Sequence, residues 1–102
     1  MQYQELNQRY GSHIAKRVQA ELDFTEFRHI DLMELPAFLE NRAVTAHKEY
    51  QANIDNPFSE KHEEKRAALN DRLLNRWRNA EYVSALVAMA EDVSEHLHVQ
   101  AG

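Results

Sequence analysis

Few residues in this chain have the types and spacing that chemistry demands. The segment His62-Glu63-Glu64-Lys65-Arg66 begins like a zinc-protease helix. That mechanism needs a second histidine one helical turn after the first to complete the metal face, and Arg66 stands there. The segment reads as a solvated, charged helix start. Two Glu-x-x-His pairs, Glu26 to His29 and Glu95 to His98, would each place a carboxylate and an imidazole on one helical face, as carboxylate-bridged metal bundles require. With six His and 17 acidic residues in 102 positions, about one such pair arises by chance, so neither is taken as a metal site. Cysteine is absent, which removes thiolate ligands and thiol nucleophiles together. The only glycines are Gly11 and Gly102, too few for a phosphate-cradling loop or a glycine-built oxyanion hole. The expectation is a protein without catalytic residues, metal or cofactor.

One constellation remains. Lys65, Arg72 and Arg76 fall on one face of a helix, with Trp77, Arg78 and Tyr82 beside them, and cations next to aromatic rings can hold phosphates or stack on bases. The bland alternative is a solvated face with local ion pairs, such as Glu63 to Arg66 and Arg78 to Glu81, and Trp77 in the core. Charge is distributed unevenly about a net of −5. Residues 56–79 carry six basic against four acidic side chains, whereas residues 80–102 carry four acidic and no basic ones. An acidic balance favours solubility or a basic partner over general polyanion binding.

The elements that must position these residues are helical. The composition is 43% apolar and 28% charged with two Gly and two Pro, as in a globular helical protein. Leu6, Tyr10, Ile14, Val18 and Leu22 recur every four positions, and Glu5 with Arg9 and Arg17 with Glu21 stand at i,i+4, predicting a first helix over about 3–22. Gly11 inside it costs about 1 kcal/mol relative to Ala, so the helix is expected to bend there or admit a close neighbour. Residues 25–34 are dense in large apolar side chains without a clean period, and Asp31 with Glu34 resembles a capping box, predicting a short helical turn. Phe24, Phe27, Met33 and Phe38 there read as core or, less well, as a partner patch. Pro36 suits the first position of a second helix, about 36–54.

Asp55-Asn56-Pro57 marks a turn, with Asn56 or Ser59 capping a third helix. From Phe58 to Ala101 there is neither Gly nor Pro, and apolar residues keep helical spacing, so this helix is predicted over about 58–98. At 1.5 Å per residue it is roughly 60 Å long, about twice the width of a compact domain of this size. The sequence therefore predicts a single all-α domain over 1–102, a helical bundle or long hairpin with an extended C-terminal helix. The apolar stripe is expected to meet a second copy through Leu69, Leu73, Val83, Val87, Ala90 and Leu97. In an antiparallel pair of third helices, the basic half of one copy would lie beside the acidic half of the other.

No window approaches the about 18 consecutive apolar residues of a membrane span, and the N-terminus lacks the pattern of a secretory signal, which predicts a cytoplasmic protein without membrane contact. The functional expectation is a non-catalytic helical interaction module, a small adaptor, regulator or inhibitor of another protein, which self-associates. The first alternative is nucleic-acid binding through Lys65, Arg72, Arg76 and Trp77. A lesser one is an acidic protein occupying a nucleic-acid groove of a partner enzyme.

Overall fold

The computed structural model describes residues 1–55 and 63–101, with side chains described as far as residue 93. The predicted turn and caps at Asn56, Pro57 and Ser59, the predicted helix start at Phe58, and His62 of the zinc-like segment lie outside the described residues. So do the side chains of Glu95, His96, Leu97 and His98. The described part is helical with no strand. Helices α1 (Tyr3–Tyr10), α2 (Ser12–Glu21) and α3 (Phe24–His29) lead into a 3-10 turn (Leu32–Glu34), then α4 (Leu35–Asp55) and the 39-residue α5 (Glu63–Ala101).

Helices α4 and α5 form an antiparallel hairpin. Arg66 donates to the Ile54 carbonyl at 3.0 Å, the buried Asn53 donates to Asn70 Oδ1 at 3.3 Å, and Trp77 packs between His47 and Tyr50. A buried amide without its partner costs about 1–3 kcal/mol, so the Asn53–Asn70 pair penalises any slip of one helix along the other. Toward the other end of the hairpin, α2 lies against α5 and completes the core. Leu6, Ala15, Val18, Leu22, Ile30, Leu35 and Leu39 meet Val83 and Val87 there.

The predicted first helix is two helices. Gly11 adopts φ 88°, ψ 162°, a backbone region that only glycine enters without strain, and α1 turns away from the line of α2. No neighbour crowds the glycine, so backbone freedom and not close approach is the reason for it. The turn brings the Met1 amino group to the Arg28 carbonyl at 3.2 Å.

The expected i,i+4 charge pairs of the first helix are replaced by longer-range contacts. Arg9 bridges to Glu91, Arg17 lies over the Tyr82 ring, and Glu21 pairs with Arg42. The capping box forms at Asp23 and Glu26, with Glu26 N donating to Asp23 Oδ1 at 2.8 Å and Asp23 N to Glu26 Oε1 at 3.1 Å. Asp31 makes no such cap, because the turn after it is 3-10 and too tight for the reciprocal reach. Helix α4 begins one residue before Pro36.

The hairpin makes the molecule long and thin. Its extents are 62 × 28 × 19 Å and its radius of gyration is 17.0 Å, against about 13 Å for a compact domain of 100 residues. The thinnest direction is about two helix diameters.

Candidate functional site

The long helix presents three kinds of side chain around its circumference. One side carries Leu73, Ala80, Val83 and Val87, all buried. Val83 and Val87 belong to the core formed with α2 and α4, and Leu73 is turned inward on the same face. Three of the six side chains expected at an interface between copies are thus enclosed by their own chain, because α2 and α4 flank this face. Leu69 and Ala90 lie at its margins, partly open, and the Leu97 side chain is outside the described residues.

The basic and aromatic residues divide. Trp77 is only partly accessible, its ring 4.4 Å from His47 and 5.6 Å from Tyr50 between centroids. The ring is half-buried against α4 and also borders an open groove with Val44, Lys48 and Glu81. Arg76 reaches across the hairpin to Glu49 at 3.3 Å. Lys65, Arg72 and Arg78 stand exposed. Tyr82 is also exposed, with the Arg17 guanidinium 5.5 Å above its ring. Lys65, Arg72 and Arg76 share one side of α5 and are exposed there, Arg76 within its pair to Glu49, whereas Arg78 and Tyr82 stand on another side.

An open groove beside the hairpin is lined by Phe38, Thr45, Glu49, Arg42 and Arg76, but its cations are already engaged. Arg42 ties three helices together through Glu21 at 3.0 Å, Glu26 at 2.8 Å and the Glu21 carbonyl at 3.1 Å. The sequence gives no warning of this, since Arg42 has no partner at helical spacing in its own helix. Glu26, one member of a Glu-x-x-His pair, is consumed by that bridge. Among the described residues no group of three or more His, Asp or Glu side chains could hold a metal ion.

Near the open end of the hairpin, Glu91 of α5 accepts from Arg9 Nε and Nη2, both at 2.9 Å, and from the Tyr10 hydroxyl. Burial, reinforced by the bond to Glu91, pushes the Tyr10 hydroxyl up to about 12. The same hydroxyl bond, followed by Arg9, holds the Glu91 carboxyl below its usual range. The cluster fastens α1 to α5, and every member has its partner within it.

What remains without a role in the fold is the far side of α5. Tyr82, Leu86, Met89 and Val93 follow one another at spacings of four, three and four residues, the pattern of a helix–helix seam. They project away from Val83 and Val87. Met89 is 65% exposed, Val93 59% and Tyr82 48%, while Leu86 is half-buried at the edge of the stripe. Ala85 is exposed alongside. The sequence shows residues 83–90 as apolar nearly all round, but it takes the buried half for the seam between copies. The distinguishing signal was the second stripe, offset from the first. Two further apolar side chains expected in the core are open, Phe24 at 75% and Met33 at 72%, whereas Phe27 and Phe38 pack against it.

In comparisons with protein-family models, curated proteins and solved structures, nothing matches this chain. Among the described residues no helix is long and apolar enough to cross a membrane.

Proposed function

We propose that this chain is a non-catalytic helical interaction module, an adaptor, regulator or inhibitor that binds another protein through the outward face of α5. The observation that carries this reading is the stripe of exposed Tyr82, Met89 and Val93 with half-buried Leu86, on a helix whose opposite face already fills the core. An ordered, contiguous apolar stripe on a small domain is the usual mark of a protein contact. The clustered ionisable groups support the same view. Glu21, Glu26, Glu49 and Glu91 are each bound to an arginine that joins two helices, which is a structural use of charge.

The test is affinity capture from the native cell with the wild-type chain and with Met89→Glu/Val93→Glu. The wild type is expected to retain a specific protein that the variant loses at unchanged helix content by circular dichroism. Identical captures from both would overturn the assignment of this face.

Direct nucleic-acid binding is the second reading, and the exposed Lys65, Arg72 and Arg78 favour it. It would proceed by phosphate contact and would weaken steeply with salt. Occupation of a nucleic-acid groove by acidic side chains has less support, because four of those carboxylates are neutralised by arginines.

A further inference from the structure

We infer that α1 is an exchangeable strap: it opens about Gly11, joins α2 in one continuous helix, and seats on a second copy of this chain in the place that copy's own α1 has vacated. The resulting dimer owes nothing to the outward face of α5, so the two readings stand or fall separately.

The backbone at Gly11 holds two arrangements close together. At φ 88° the helical ladder is interrupted. Gly11 N still donates to the Asn7 carbonyl at 2.8 Å and Ala15 N to the Gly11 carbonyl at 3.0 Å, but among the described residues no carbonyl accepts from the amides of Ser12, His13 and Ile14. No side chain caps α2 in their place. A straight helix would give those three amides the carbonyls of Gln8, Arg9 and Tyr10. The four-residue period of Leu6, Tyr10, Ile14 and Val18 also runs through the break without a slip. A side chain placed on Gly11 meets nothing within 4 Å, so no packing at the hinge resists the change. Against it stands the entropic cost of a glycine inside a helix.

The seat of α1 then decides the occupant. Leu6 is fully buried in the core, with Met1, Tyr3 and Tyr10 packed against it. The ends of α1 are held by the Met1 amino group on the Arg28 carbonyl and by Arg9 and Tyr10 on Glu91. Helix α2 runs antiparallel to α5, since Arg17 lies at Tyr82 and Tyr10 at Glu91. Straightening therefore carries α1 past Glu91 toward the Ala101 end of α5, with Tyr3 about 12 Å beyond Gly11, and takes Leu6 out of its seat. The hole left behind is apolar, with the Arg28 carbonyl at one end and the Glu91 carboxylate at the other. The α1 of a second copy fits it by construction. Reciprocal exchange restores each of these contacts between copies and adds three backbone bonds per chain, which is the low-cost route to a two-fold dimer.

The test uses the purified full chain in size exclusion with light scattering over a concentration series. The wild type is expected as a closed monomer with a dimer fraction that grows with concentration. Gly11→Ala should tighten the dimer at least about a hundredfold, because alanine is strained at this backbone angle in each closed chain and favoured over glycine in each open one. Charge reversal reads the exchange itself. In the Gly11→Ala background, Arg9→Glu or Glu91→Arg alone sets like charges together in monomer and homodimer equally, and should leave the dissociation constant nearly unchanged. In an equal mixture of the two variants, exchange brings position 9 of each chain to position 91 of the other with opposite charge. The heterodimer should then be about tenfold tighter than either homodimer, read by native mass spectrometry. If Gly11→Ala loses helix content by circular dichroism, the same mixture is read in the otherwise wild-type chain at millimolar concentration, with the same excess of heterodimer expected. A folded Gly11→Ala chain that stays monomeric at millimolar concentration overturns the inference, as does a mixture that pairs only statistically. A dimer abolished by Met89→Glu/Val93→Glu and indifferent to Gly11→Ala would overturn it too, and would put the seam between copies on the outward face.

Discussion

Glu91 and Tyr10 share one hydrogen bond, and their proton affinities are moved in opposite directions. The Glu91 carboxyl is held below its ordinary value, so its contribution to stability is fully present above the unfolded value of about 4.3 and is lost as pH falls through the lower folded value. Tyr10 is raised to about 12, so its contribution is present below about 10 and is lost as pH climbs from there towards 12. Wild type should therefore lose this increment at both extremes, and Glu91→Gln should flatten the acid limb of a urea-midpoint profile between about pH 3 and 5. An acid limb of unchanged slope in that variant would show that the bridge between α1 and α5 contributes nothing. Neither partner of this cluster was legible in the sequence. Arg9 has a glutamate at helical spacing in Glu5, which the i,i+4 rule favours as its partner, but a contact between positions 9 and 91 depends on tertiary packing that periodicity cannot report. Trp77 stands at helical spacing from Leu73 and Ala80, but its half-buried place against His47 and Tyr50 depends on α4 and could not be read from that spacing.

At the scale of elements, the long helix and its hairpin partner could be read from two facts: an unbroken run without Gly or Pro, and a proline at the start of the preceding helix. The division of the first helix could not. Gly11 signals a cost within a helix but does not say whether the chain bends or breaks, and the decision belongs to the contacts on either side. Here α2 packs on α5, while α1 turns so that Met1 meets Arg28 and Arg9 meets Glu91. Replacing Gly11 with Ala should cost about 1–3 kcal/mol, because a side chain is strained at this backbone angle even with open space around it. Chemical denaturation measures the loss. A neutral or stabilising Gly11→Ala would mean that α1 and α2 join into the continuous helix that the four-residue period suggests.

The whole molecule is about two helices thick and more than three times as long as it is thin. The sequence conveyed the length, since a helix of 39 residues admits no compact sphere, but it misassigned which side of the rod faces outward. Both stripes are apolar and both have helical spacing, so only the placement of α2 and α4 tells them apart. That placement has a measurable echo along the chain. In so thin a body there is no third layer, and each position of α5 either touches its own fold or touches the outside. Substitution to a charged residue, taken one position at a time from Leu73 to Val93, should then trace two oscillations of the same wavelength. Melting temperature should dip at Leu73, Ala80, Val83 and Val87; association should dip at Tyr82, Met89 and Val93, roughly half a turn out of step. Coincident dips would mean that folding and recognition share one surface, and a mutation that silenced the second could never be separated from one that unravelled the first.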